Sequence, residues 1–344
     1  MKQNKSMLAL ILVLAVVLVV LIIFATQMPE KKPDTTSPTG GSVPSTAPQT
    51  EPMTPTETIP PTEPPTQPPT EPPTEPPTEA PTNPPIDNTG NASDRIGSLY
   101  TRGELEKMDN SYNKGGYGAG PTSGGKRPGG PVSDQNKYGQ YGGNFVGEDE
   151  KVIYLTFDCG YEYTATDENG NAYRVTERIL DVLKEKNTKA VFFLTMHYVK
   201  TQPDLVQRMV DEGHVLGNHT NNHPVMPAQT IDNMVYEVMS LHDYIKEHYG
   251  YTMTVFRPPT GAFSIRSLSV LKSLGYKTVL WSFQYYDYDT AKQPAYDEAL
   301  NTVTSRHHNG AIYLLHAVSA TNAAILGDAI DFFLAEGYEL KPFQ

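Results

Sequence analysis

From Lys151 to the C-terminus, short apolar runs alternate with amphipathic stretches. VIYLTF (152–157) predicts a strand, and RVTERILDVLKEK (174–186) predicts a helix with Val175, Ile179, Val182 and Leu183 on one face. AVFFLT (190–195) predicts a second strand. The helix PDLVQRMVDEG follows, with Pro203 in its first turn, where a missing N–H costs nothing. HVLGNH, MTVFR, KTVLWS and AIYLLH continue the strand theme, with helices expected near 230–248, 264–274, 295–306 and 321–335 and a last short strand at YELKPF. Seven strands alternating with helices imply an α/β fold, its mostly parallel sheet closed or nearly closed into a barrel.

The pattern upstream is different. Residues 7–26, MLALILVLAVVLVVLIIFAT, carry no charge and follow Lys2 and Lys5. Twenty residues at about 1.5 Å each span a bilayer core of about 30 Å. The run exceeds a signal-peptide core and no A-x-A site follows it, so an uncleaved transmembrane signal anchor is expected, with the N-terminus inside. Residues 33–93 hold nineteen of the thirty prolines and eight acidic residues, with no Lys or Arg. Their centre, PPTEPPTQPPTEPPTEPPTEAPTNPP (60–85), is a P-P-T-E repeat. Such a sequence favours extended polyproline II and a disordered stalk, reaching roughly 80 Å over the repeat. The Gly- and Tyr-rich stretch 103–147 has neither helical nor strand period and reads either as more linker or as an irregular lead-in packed on the domain. The expected organisation is therefore a cytoplasmic tail and membrane anchor (1–32), a stalk (33–98), a lead-in (99–150) and a globular domain (151–344). The net charge of −12 lies largely in the stalk, and no basic patch points to nucleic acid. A single cysteine, Cys159, excludes an intramolecular disulfide. Near-absence of cysteine suits an oxidising, extracytoplasmic compartment. Nothing in the pattern indicates an oligomeric state.

In parallel α/β folds chemistry collects at the carboxyl ends of the strands. Here the first strand ends in Asp158-Cys159, the third in NHTNNHP with His219 and His223, and the fourth in Arg257 followed by PPTG. The fifth ends in SFQYYDYD with Asp287, and the sixth in His316. Five strands thus deliver ionisable groups to one rim. His219 and His223, four apart, would share a face on a helical turn and present two imidazoles to one metal. Asp158 serves either as a ligand or as a general base, and Arg257 is the partner that would keep a carboxylate ionised. His316 has Leu314 on the same side of its strand, a combination that suits a general acid beside a small apolar pocket. Asp287 would orient that histidine and keep it protonated. A metal pair, a carboxylate base and a separate histidine acid together point to metal-assisted hydrolysis, more of amides than of esters, because an amine leaves poorly until protonated.

In order, TFDCGYE, HTNNHP, RPPTGAF, the WSFQYYDY stretch and LLH resemble the five motifs of the polysaccharide deacetylases (NodB-homology domain, carbohydrate esterase family 4). The resemblance covers roughly 150–344. It implies a distorted (β/α)7 barrel, Asp158 as base paired with Arg257, His219 and His223 as metal ligands, and His316 as acid paired with Asp287. It further implies Leu314 as the wall facing the acetyl methyl and the Thr260 backbone N–H as an oxyanion donor. The implied cofactor is a divalent metal, zinc in expectation. FDCGYE, RPPTGAFS and GAIYLLHAVSATNAAILGDAI look like the branch that forms muramic δ-lactam in peptidoglycan, the de-N-acetylases of N-acetylmuramic acid. Peptidoglycan is then the expected partner, with the domain facing the cell wall. Three departures stand out: Cys159 where the family has a second, metal-binding aspartate, Tyr288 where it has tryptophan, and a long loop at 163–174 carrying the turn Asn169-Gly170. Cys159 either completes a Cys-His-His set as thiolate or stays a neutral thiol outside it. Competing expectations are a deacetylase of another glycan (glucosamine residues of peptidoglycan, chitin, xylan) and a non-catalytic wall-binding module.

Overall fold

The computed structural model describes residues 95–97, 99–120, 122 and 124–344. The expected membrane anchor and most of the stalk lie outside these residues. Among the described residues no helix is long and apolar enough to cross a membrane.

In chain order the elements are α1 (Arg102–Lys107), α2 (Gly129–Tyr138), β1 (Gly143–Asn144), β2 (Val152–Cys159), β3 (Thr164–Thr166), β4 (Ala172–Arg174), α3 (Val175–Glu185) and β5 (Val191–Leu194). They continue as α4 (Met196–Thr201), α5 (Pro203–Asp211), β6 (Val215–Asn218), α6 (Ile231–Tyr249), β7 (Val255–Phe256) and α7 (Ile265–Ser273). The last are β8 (Lys277–Val279), β9 (Phe283–Gln284), α8 (Tyr296–Ser305), β10 (Ala311–His316), α9 (Ala320–Ala335) and β11 (Glu339–Leu340). Each helix expected from periodicity is present within a residue or two. Local chemistry explains several boundaries: the Thr230 side chain caps α6, Ser264 and Ser267 form a capping box on α7, and Ser319 caps α9.

The main sheet runs β1-β8-β7-β6-β5-β2-β10-β9, with β11 added beside the start of β2, and every pairing in it is parallel. The expected α/β character and parallel order hold. The barrel, however, is an open, curled sheet: β1 and β9 end the hydrogen-bonded order without pairing to each other. Strand alternation builds two apolar layers. Ile153, Leu155, Phe157 and Cys159 face the helices, together with Phe192, Leu194 and the inner stripe of α3, Val175, Ile179 and Leu183. Val191, Phe193, Val215, Val255, Val279, Ile312 and Leu314 fill the concave side with Phe145 and Trp281.

Two expectations are corrected. The stretch 103–147 packs on the domain, as one of its two readings had it, but it is not irregular throughout: it contributes α2, and β1 joins the main sheet as an edge strand on β8. The boundary at 150/151 therefore cuts through one folded unit. A helix starting Gly-Gly-Pro has weak intrinsic propensity, and tertiary contacts override it. Pro131 is buried, and Gln135 accepts from the Phe145 N–H at 2.8 Å. The long 163–174 loop is an antiparallel hairpin of β3 and β4, its turn nucleated by Asp167, whose Oδ1 accepts from Asn169 and Asn171 N–H groups.

Candidate active site

Asp158 and His316 are register partners on the adjacent parallel strands β2 and β10, so both point to the concave face about 4.8 Å apart at the backbone. Each has its own charged neighbour. Arg257, fully buried, donates from Nη1 to Asp158 Oδ1 at 2.8 Å. Its Nε and Nη2 donate to the Val279 and Leu280 carbonyls, and its guanidinium lies 4.2 Å from the Phe193 ring centre. The side chain is thus immobilised at every donor group. Burial alone would push the Asp158 carboxyl up, but the nearby positive charge, that of Arg257 above all, outweighs it and holds the group below its ordinary range. His316 is the mirror case. Burial would lower it, but the charge of Asp287 and the 2.7 Å bond between Nδ1 and Asp287 Oδ1 raise it above an ordinary histidine. Asp287 is fully buried and accepts three hydrogen bonds, the other two from the His316 N–H at 2.8 Å and Asn322 Nδ2 at 2.6 Å. With Nδ1 committed to Asp287, Nε2 of His316 is left for the cleft.

The two metal-candidate histidines come together as expected, but not on a helical turn. Residues 219–223 form an irregular loop in which Thr220 (φ 74°) and His223 (φ 57°) are left-handed. The imidazole centres lie 4.9 Å apart. Thr220 Oγ1 accepts from His223 N at 2.8 Å, and Asn218 Oδ1 accepts from Thr220 N at 2.9 Å. Glu237 of α6, 3 % exposed, takes the N–H and side-chain amide of Asn222 at 2.7 and 2.8 Å. The loop is bent by these bonds, not by helical periodicity. Among the described residues four non-glycine positions have positive φ, and Thr220, His223 and Thr260 are three of them, which concentrates backbone strain at the site.

Leu314 lines the same cleft two residues before His316, as alternation predicted, and Thr260 stands at its rim in a left-handed turn (φ 59°). The cleft encloses about 1170 Å³ and brings together Asp158, His219, His223, Thr260, Leu314 and His316. Asp287 and Arg257 stand behind it as fully buried supports. Tyr288, in place of the family tryptophan, meets the His316 ring edge-on at 5.5 Å. Cys159 is elsewhere. Its side chain is in the helix-facing apolar layer, its Sγ is 3.8 Å from the Phe157 carbonyl, and burial pushes its thiol well above the usual range. The Cys-His-His ligand set is therefore excluded. Asn322, Glu237 and the lead-in residue Gly115, which also lines the cleft, had not been picked out from sequence. For Asn322 a signal existed: it is a lone amide in the otherwise apolar buried stripe of α9.

A metal suits the donors present. His219 Nδ1 lies 2.8 Å from the Arg257 carbonyl, which makes it the protonated nitrogen and frees Nε2, itself 3.7 Å from Asp158 Oδ2. That arrangement, one ring N–H bonded to a carbonyl and the other nitrogen open, is the usual orientation of a ligating histidine. Burial lowers His219 to about 4 and lowers His223 too, so both are neutral donors at neutral pH. Among the described residues no cluster of three or more His, Cys, Asp or Glu is arranged to hold a metal. The protein's share of such a site would be the two imidazoles of His219 and His223.

Comparison with known proteins is consistent with this geometry. The profile of the polysaccharide deacetylases matches residues 146–279. The peptidoglycan-N-acetylmuramic acid deacetylase PdaA of Bacillus subtilis is 42% identical over 193 residues, 56% of this chain and 70% of that protein. Its solved structure, described as a family 4 carbohydrate esterase, superposes with a TM-score of 0.61 at 36% identity, covering 68% of this chain and 96% of that one. A family 4 carbohydrate esterase from Bacillus anthracis gives a TM-score of 0.53, also at 36% identity, over 68% and 95% of the two chains. The peptidoglycan-N-acetylglucosamine deacetylase PgdA of Listeria monocytogenes is 31% identical over 55% of this chain but only 37% of its own length. The extent and identity of these matches make the chain a member of the polysaccharide deacetylase family, hydrolases of carbohydrate N-acetyl groups.

Proposed function

We propose that this protein is a metal-dependent peptidoglycan N-deacetylase that removes the acetyl group of N-acetylmuramic acid. The observation that carries the hydrolytic reading is the register pair Asp158–His316, in which neighbouring groups of opposite sign push the two pKa values apart. A base that stays charged and an acid that stays protonated at one pH are what amide hydrolysis requires. Asp158 takes a proton from the attacking water as its oxygen bonds to the acetyl carbonyl carbon. The Thr260 N–H donates to the developing oxyanion. His316 Nε2 then gives its proton to the amide nitrogen, the C–N bond breaks, and acetate and a free amine leave. Arg257 keeps Asp158 from capturing a proton in the resting state, and Asp287 with Asn322 keeps the His316 ring oriented. Leu314 bounds the space for the methyl group. A divalent metal held by His219 and His223 would polarise the carbonyl and lower the pKa of water.

The muramic target is supported by the likeness to PdaA and by the δ-lactam-type motifs FDCGYE and RPPTGAFS. Residues 7–26 and the proline-rich 33–93 support a membrane-anchored enzyme whose stalk lets the domain reach the wall. The test is mass spectrometry of muropeptides after incubation with the protein. One acetyl mass should disappear from a muramic residue, and Asp158→Asn should abolish the change while retaining fold and glycan binding. Loss on glucosamine residues instead would overturn the muramic assignment, and an Asp158→Asn protein as active as its parent would overturn the mechanism.

A further inference from the structure

The Thr260 turn is closed by two backbone bonds of its own, Gly261 N–H to the Pro258 carbonyl at 2.9 Å and Ala262 N–H to the Pro259 carbonyl at 3.2 Å, yet it is strained and buttressed from outside. Thr260 (φ 59°) and Gly261 (φ 68°) are consecutive left-handed residues, and Thr260 carries a Cβ that disfavours this conformation. What presses on the turn from outside is a segment of the lead-in, Asp109–Gly118, which precedes the residues matched by the family profile. One end of this strap is tied to α7: the Asp109 carbonyl accepts from Arg266 N at 3.0 Å, and Asn110 Oδ1 accepts from Ser264 Oγ at 2.7 Å. The other end is tied by Tyr117, which meets Phe145 and Trp281 edge-on at 5.3 and 5.4 Å. Between the ties the chain reverses around Asn113. Its Oδ1 accepts from Gly115 N at 3.0 Å, and its Nδ2 donates to the Gly116 carbonyl at 2.8 Å. The apex, Gly116 (φ 78°), lies so close to the turn that a Cβ there would stand 2.0 Å from the Thr260 carbonyl oxygen. A Cβ on Gly261 would in turn meet Tyr117 N at 3.1 Å and Trp281 Cη2 at 2.6 Å. Strap and turn fit only because both surfaces lack side chains at the contact.

The geometry points to Gly116 and Asn113 as positioning residues for the reaction: the lead-in strap holds the Thr260 peptide in its strained turn and so aims its N–H into the cleft. This inference rests on the deacetylase reading above, in which that N–H meets the oxyanion. A donor of this kind contributes to the tetrahedral species and little to the bound substrate. Displacing it should therefore lower kcat and leave KM nearly unchanged.

The test compares the wild-type chain with Gly116→Ala, Asn113→Ala and the control Gly118→Ala, whose added Cβ would find only an ordinary contact, 3.9 Å from Gln284 Nε2. Kinetics on an N-acetylated peptidoglycan fragment are read beside the affinity for a phosphonamidate mimic of the tetrahedral species. Gly116→Ala is expected to lose roughly 10- to 100-fold in kcat, Asn113→Ala less, each with mimic affinity falling in parallel and KM within about twofold. Gly118→Ala should match wild type. Asn113→Ala adds no atom to the contact, so it keeps the question answerable if Gly116→Ala fails to fold. Folded variants with unchanged kcat, or a kcat loss with unchanged mimic affinity, would overturn the strap's role while leaving the enzyme reading intact. A wild-type protein inactive on every N-acetylated glycan would overturn both.

Discussion

Replacing Asp287 by Asn probes the acid half of the site with almost no change of shape. Asp287 only accepts hydrogen bonds, and it accepts three: one on Oδ1 from His316 Nδ1 and two on Oδ2 from the His316 N–H and Asn322 Nδ2. An asparagine has one oxygen and one NH2. If its oxygen serves the two donors on the Oδ2 side, its NH2 faces His316 Nδ1, and that nitrogen must become an acceptor. The imidazole is then neutral. If the amide is flipped, two donors face an NH2, leaving buried groups unpaired at about 1–3 kcal/mol each. The first arrangement is the cheaper one, and it removes the acid. Loss of a positioned general acid predicts a fall in kcat of roughly 10²- to 10⁴-fold. The pH profile carries the sharper signature. In the parent, Asp287 raises His316 and Arg257 lowers Asp158, so activity should form a broad plateau between a low acidic limb and a basic limb above an ordinary histidine. In Asp287→Asn the raising contribution is gone and burial still lowers the ring, so the basic limb moves to lower pH. Stability follows the same sign. A histidine raised in the folded state stabilises fully below its unfolded pKa of about 6.5 and loses that contribution as pH rises through the folded value. The difference in Tm between parent and variant should therefore be larger at mildly acidic than at alkaline pH. Steady-state acetate release across pH, with thermal unfolding in the same buffers, measures both. A variant with the parent's rate and an unmoved basic limb would refute the reasoning.

Two further outcomes follow from the geometry. Cys159→Ser should leave metal content and acetate release unchanged, since the thiol faces the helices, while the buried hydroxyl costs about 1–3 kcal/mol in thermal or denaturant unfolding; loss of metal by elemental analysis would contradict its placement. Glu237→Ala should cost about 1.5–3 kcal/mol by removing the charged acceptor of the two Asn222 hydrogen bonds, and should weaken metal retention through the loosened His223 loop although Glu237 itself lies outside the cleft lining; dialysis against a chelator, compared with the parent, reads that effect.

The strand ends were legible because the period of two is a local signal, and each functional side chain sits where a strand stops. Leu314 and His316 on one face followed from the same rule. That rule also decides Cys159, since neighbours on a strand face opposite ways and Asp158 already occupies the cleft side. The His219 and His223 rings do come together, but not on the helical turn that their spacing suggested. The left-handed residues that bring the rings together are held partly by the local Asn218 and Thr220 side chains and partly by Glu237 of α6, and no local propensity encodes the Glu237 bonds. The lead-in was illegible for a related reason: glycine and proline at the start of α2 argue against a helix, and only Pro131 and Gln135 packing onto the sheet reverse the balance. The barrel expectation failed at closure, which depends on how β1 and β9 meet and not on the pattern within any strand.

The pairing of Asp158 with His316 across β2 and β10 sets how this enzyme should fail. The proposed base and acid are joined by the central backbone ladder, not by a hinge or a lid, so nothing short of parting those strands separates them. Their spacing should be as durable as the sheet itself, with slow amide exchange along both strands. The lead-in, by contrast, joins the sheet only through a two-residue edge strand, β1. Gradual heating should then inactivate in two stages, first by slackening at that edge with the sheet still whole, and irreversibly only when the ladder opens.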